Sequence, residues 1–267
     1  MNKEIFFCKD KASLITPERM IHVIGKKRAI KGEDLKLKPV SIITFMPDDH
    51  SVLIKKTQAK PMAAWIKRYR NVYQGNYKGT ELVLAQSAFG APNVVMLLEE
   101  LAAFGVRYIF VIGYCGSIQA DIRIGDLIIP TDTIREEGTS FHYVGDEKSC
   151  RPDINIQNSF YNCSMNKKKG VYMGKVWTTD APYRETKSKI TRYQGQAALG
   201  VDMEMSAVFA LAQYRGLNAG GALTVSDELS GSEWKPGFFR KEVNNTRHAL
   251  LEITLEVVEQ FSQSFIM

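Results

Sequence analysis

Glu204 stands inside VDMEMSAVFALA, an otherwise largely apolar run. A carboxylate there costs several kcal/mol unless it is paired or hydrogen-bonded. Two more carboxylates follow apolar runs: Asp180 in TTDAPYRE and Asp227 in LTVSDE. Taken singly, each reads as a helix N-cap or a solvated turn residue. Taken together, they look like groups gathered at the carboxyl ends of neighbouring strands, where open α/β sheets bind ligands. Sugar hydroxyls are fitting partners, because a carboxylate accepts two donors at once. VIGYCGSIQ (111–119) ends an apolar run in Tyr114-Cys115-Gly116-Ser117, either a strand-to-loop turn or the floor of the same site.

These residues need strands and helices to carry them. VSIITF (40–45), ELVLAQS (81–87), RYIFVIG (107–113), DLIIP (126–130), GVYMGKVWTTD (170–180), LGVDMEM (199–205) and NAGGALTVSDE (218–228) read as strands. Asn93–Phe104 has apolar residues three and four apart and reads as a helix, with Pro92 at its start and Gly105 at its end. Further helices are expected over 206–214 and 242–261. The alternation predicts an α/β fold: a single domain, 39–267, with a mixed, largely parallel central sheet flanked by helices. Residues 1–38 are polar, lack clear periodicity and read as an N-terminal extension. Long loops are expected at 136–168 and 226–238.

The 267 residues are 45% hydrophobic and 24% charged, ordinary for a globular chain. No stretch approaches the roughly 20 apolar residues that span a bilayer. The first residues lack an apolar segment followed by a cleavage site, so a cytoplasmic location and no membrane partner are expected. The four cysteines are scattered, which argues against a zinc site or a disulfide framework. The net charge is +6, but the densest basic runs, Lys26-Lys27-Arg28 and Lys167-Lys168-Lys169, read as solvated loops, so no nucleic acid is expected. No GxGxxG follows the first strand, which leaves a dinucleotide fold weakly supported.

VIGYCGSIQADIRIGDLIIP, EEGTSFHY, TTDAPYRE, GVDMEMSAVFALA and LTVSDE resemble, in order and in register, the nucleoside phosphorylase family. That family comprises the purine nucleoside and uridine phosphorylases and their nucleosidase relatives, and the resemblance runs from Val40 to the C-terminal helix. It implies cleavage of an N-glycosidic bond. Glu204 would bind the ribose hydroxyls, with Met203 packed on the sugar. Asp227, beside Ser226, would protonate the purine leaving group, and Arg240 would support Asp227. Cys115, Gly116 and Val201 would line the pocket with Tyr114 beside them, and Tyr183 would cover the base. Pro182 departs from the phenylalanine usual next to it. The uridine branch's Gln and Arg are not seen in TTDAPYRET, which favours a purine. The resemblance implies no cofactor, a small-molecule nucleoside partner and a homo-oligomer, dimer or hexamer.

The departures concern phosphate, the family's co-substrate. FMPDDHSVLIK replaces the glycine loop and its arginine, with Val52 near the arginine's place. Val111 replaces a second arginine and Tyr114 a hydroxyl residue. A dianion needs several charge-assisted donors. Hydrolysis is therefore mildly favoured, with Asp48 as general base; the Pro47-Asp48-Asp49 run also reads as turn chemistry. His50 and His142 are further polar candidates. Two alternatives stand: a phosphate-dependent purine nucleoside or uridine phosphorylase using Arg68 or Arg135, and a nucleoside-binding relative without catalysis.

Overall fold

The computed structural model describes residues 6–8, 13–28, 30–67, 70–146, 148–168 and 170–263. Ten strands form one sheet: β1 Val40–Thr44, β2 Lys60–Pro61, β3 Val72–Tyr77, β4 Thr80–Gln86, β5 Tyr108–Ser117, β6 Leu127–Arg135, β7 Val171–Thr178, β8 Ala198–Asp202, β9 Asn218–Glu228 and β10 Lys235–Pro236. The helices are α1 Pro17–Arg28, α2 Pro47–Thr57, α3 Ala63–Ile66, α4 Ala91–Ala103, α5 Ile154–Lys167, α6 Lys187–Gln194, α7 Met205–Arg215 and α8 Lys241–Gln263.

The sheet is open at one end and closes on itself at the other. β1 pairs in parallel with β4 and β5, and β3 and β2 extend that side antiparallel. β5 also pairs with β9 along its whole length, β9 with β6, β6 with β7, β7 with β8, and β8 returns to β5. The long strands β5 and β9 thus belong to the open sheet at their starts and to a five-stranded ring at their ends. Cys115 and Gly116 of β5 face Val225 and Asp227, so Ser226 of β9 is left over as a bulge, and from there Gly116 and Ser117 pair with Val201 and Gly200 of β8. Such bulges bend and twist a strand.

Alternation sets the two cores. Ile109, Val111 and Cys115 pack with α4 and α7, while Phe110 and Ile112 pack with α5 and α8. α7 is buried from Met205 to Ala212, which explains why its sequence is apolar all round. A smaller cluster of Ile118, Trp177, Ile190, Tyr193, Ala198 and Val201 seals the ring against α6.

Several expectations change. Tyr114–Ser117 is strand, not turn, because β9 and β8 supply ladder partners beyond Gly113. FMPDDHSVLIK is largely helix: Pro47 opens α2, two aspartates follow in its first turn, and Lys55 and Lys56 end it. The expected loop at 136–168 contains α5, capped by Asp153 accepting from Asn155 and Ile156. The N-terminal extension carries α1, and Leu35 is fully buried, with its carbonyl accepting from Trp65 Nε1. Lys26-Lys27-Arg28 therefore ends a helix, and Lys167 ends α5 paired with Glu256; Lys169 and Arg68 lie outside the described residues. Among the described residues no helix is long and apolar enough to cross a membrane.

The seam between β5 and β9 is tight at Gly221, where a Cβ would fall on the Val111 carbonyl oxygen. Gly221→Ala should therefore destabilise the protein by about 1–3 kcal/mol, the usual cost of overpacking. Urea unfolding measures this, and a variant as stable as wild type would show slack in the seam.

Candidate active site

Glu204 stands after β8 at the start of α7 and Asp227 near the end of β9, and both strands pair with β5. β8 ends at Asp202, which is buried and acts as the cap of α7: Oδ2 accepts from the Glu204 and Met205 N–H groups, and Oδ1 from Thr178 Oγ1 at 2.7 Å. Glu204 follows at the N-cap position of α7 with its carboxylate buried, and Oε1 accepts from the Gly90 N–H at 2.7 Å. Gly90 begins α4, so Glu204 joins two helix N-termini. Burial raises the Glu204 pKa above the ordinary range, and the Asp202 charge raises it further; the Gly90 and Met203 N–H groups oppose this. Asp202 is raised too, mainly by burial. Met203 is half-buried beside Glu204.

Asp227 lies on the next strand of the ring and is buried. Oδ1 accepts from Ser226 Oγ at 2.7 Å and Oδ2 from Trp234 Nε1 at 2.8 Å. Gly116 lies against it: a Cβ there would sit 3.0 Å from Asp227 Oδ2 and would strike Leu229. Val201 is the ladder partner of Gly116. Cys115 is buried, and burial together with the Asp202 and Asp227 charges pushes its thiol pKa well up.

Four expectations are redirected. Arg240 is exposed, and Trp234, not Arg240, holds the Asp227 carboxylate. Tyr183 is fully exposed. Asp48 is exposed in the first turn of α2, 3.7 Å from Arg247. Asp49, not Asp48, is the buried carboxylate there: it accepts from Tyr114 Oη at 2.8 Å. Tyr114 alternates with Cys115 and so faces α8; burial and the Asp49 charge push its phenol pKa well up, which keeps it a donor. Asp180 is exposed and ties a loop by accepting from the Gly138 N–H at 2.8 Å.

His50 is buried beside Thr44 and edge-on to Tyr73, and burial lowers its pKa to about 4, so it is a neutral packing group. His142 is exposed and meets Phe6 edge-on. Arg135 is consumed by its own loop: it donates to Ser140 Oγ and to the carbonyls of Val144, Gly145 and Lys148, and lies over Phe141. Val111 is fully buried in the core with Met205.

Glu185 was not anticipated. It is half-buried, and burial, followed by the charges of Asp227 and Glu136, raises its pKa to about 7 against the opposing Lys189. Sequence spacing carries no sign of it, because Glu185 and Asp227 meet only through the fold.

A charge-neutral replacement tests the burial of Glu204. Its folded-state pKa lies above the unfolded one, about 4.3. The associated stability is full at lower pH and is lost as pH rises through the folded value. Glu204→Gln removes that loss, so its stability relative to wild type should climb with pH. A stability difference independent of pH, measured by thermal unfolding, would contradict the burial argument.

Three comparisons bear on this geometry. The family model described as the phosphorylase superfamily matches residues 39–259. Over 196 residues the chain is 30% identical to a guanosine phosphorylase of Halorubrum lacusprofundi, covering 72% of this chain and 81% of that protein. Over 199 residues it is 28% identical to a DeoD-type purine nucleoside phosphorylase of Bacillus cytotoxicus, covering 72% and 83%. The crystal structure of a uridine phosphorylase from Vibrio fischeri superposes with a TM-score of 0.75 at 22% identity, covering 85% of this chain and 94% of that one, which shows a shared fold.

Proposed function

The chain belongs to the phosphorylase superfamily, and from that premise we propose that it cleaves the N-glycosidic bond of a purine nucleoside with water as the acceptor. Glu204 takes the ribose hydroxyls, its second oxygen being free of the Gly90 bond. Met203 packs on the sugar, and Cys115, Gly116 and Val201 form the wall. Asp227, steadied by Ser226 and Trp234, delivers a proton to N7 as the bond to C1′ breaks. The electron pair goes to the base, which leaves neutral; water adds to the oxocarbenium-like sugar from the opposite side, and the proton it sheds passes to solvent, from which Asp227 is reprotonated. Glu185 beside Asp227 adds an acceptor for a base edge that carries N–H groups, as guanine does.

The observation that carries the hydrolytic reading is the charge of the site. Asp202, Glu204 and Asp227 are held by backbone N–H groups and by Thr178, Ser226 and Trp234 rather than by arginine or lysine. Among the described residues, several cations near the ends of the ring are already engaged: Arg123 by Glu228, Lys189 by Glu136, Arg135 by its loop and Arg247 by Asp48 and Asp49. A phosphate dianion needs several charge-assisted donors, and these four are taken. The phosphorolytic reading is favoured by the names of the relatives, guanosine phosphorylase and purine nucleoside phosphorylase.

Product analysis separates the two. With guanosine, inosine or adenosine, turnover should be independent of phosphate and release free ribose. Phosphate-dependent turnover giving ribose 1-phosphate would sink the hydrolytic reading. Asp227→Asn should lower kcat/KM by roughly 10²–10⁴, the usual worth of a general acid, with unchanged thermal stability. Wild-type kcat/KM in that variant would remove Asp227 from the chemistry.

A further inference from the structure

Three elements meet on the α8 side of β5. α2 brings Asp49 in its first turn, β5 brings Tyr114 and α8 brings Arg247. Asp49 accepts from Tyr114 Oη at 2.8 Å, and its Oδ1 lies 3.3 Å from Arg247 Nε. Both side chains are largely buried, and Asp48 approaches the same guanidinium from solvent. A helix N-terminus, a guanidinium and a hydroxyl donor are the parts from which proteins build anion sites. Here the anion is the chain's own carboxylate.

The fit has slack on one side. Asp49 Oδ1 and Arg247 Nε are close but misaligned, and neither makes a hydrogen bond. They border a small void of about 10 Å³, shared with Gly113, Tyr114 and Thr224. That volume suits a single water and excludes a phosphate. The void sits under Tyr114, two residues before Gly116, which touches Asp227.

We infer that Asp49 is a built-in anion that fills an anion site formed by Arg247, Tyr114 and the start of α2, and so determines that the enzyme takes no dianionic co-substrate there. The consequence for the nucleophile rests on the hydrolytic reading above; the occupied site itself rests on the geometry. Emptying the site should let an external anion in.

The test is titration of inorganic phosphate into wild type, Asp49→Gly and Asp49→Gly/Arg247→Met, at ionic strength matched with chloride, read by calorimetry and by the melting temperature. Asp49→Gly should bind phosphate saturably and at least tenfold more tightly than wild type, and the double variant should lose that gain. Asp49→Ser, a smaller change, guards against loss of folding: phosphate should raise its melting temperature as well, since a ligand of the folded state stabilises it. Absence of saturable binding to both single variants, or equal binding by wild type, overturns the inference. Ribose 1-phosphate formation by wild type would sink the hydrolytic reading, whereas the phosphate titration decides the site in either case.

Discussion

The pairing of β5 with β9 is the constraint on which the rest of the molecule depends. It runs from Tyr108 with Asn218 to Ser117 with Glu228 and shifts register once, between Cys115 and Gly116. Before the shift the two strands serve the open sheet and divide their side chains between two helical layers. After it they turn into the ring, and β8 closes on Gly116. The shift also puts Gly116 beside Asp227, where a side chain would collide. Closure of the ring and construction of the pocket are therefore the same event. The residue left over at the shift is Ser226, whose hydroxyl donates to Asp227.

The pocket made in this way is acidic, and its charges are held by backbone dipoles more than by cations. Asp202 takes two N–H groups of the first turn of α7, and Glu204 takes the N–H at the start of α4. Helix N-termini favour negative charge without introducing a mobile positive one. Such an arrangement keeps acceptors directed at a ligand's hydroxyl and N–H donors. Across β5 the same economy appears in another form, with Asp49 meeting Arg247 and Tyr114 inside the protein.

The fold class and most core strands were legible because burial on both faces leaves continuous apolar runs, as in 107–113 and 218–225. The short antiparallel strands β2 and β3 were not, since Tyr73, Gln74 and Asn76 alternate with little apolar contrast at the sheet's edge. α2 was hidden because Pro47-Asp48-Asp49 is equally good as a turn and as a helix start. α5 was hidden because INIQNSFYNCSMNK is polar on average, and two of its five buried residues, Gln157 and Ser164, are themselves polar.

By itself the sequence determined the residue types of the site and their order: a carboxylate inside the apolar run of α7, a Ser-Asp pair at the end of β9, and small residues at Cys115-Gly116. Those are local facts, because an expensive buried charge or a side-chain-free position shows in its own neighbourhood. Which group holds which was decided only by the tertiary structure. Trp234 took the place expected of Arg240, Asp49 rather than Asp48 was the buried carboxylate of α2, and Glu185 came within the field of Asp227. Partners of a carboxylate come from loops and helices far away in the chain. Their identity depends on where the ring closes and which faces its strands present, and spacing along the sequence carries no record of that.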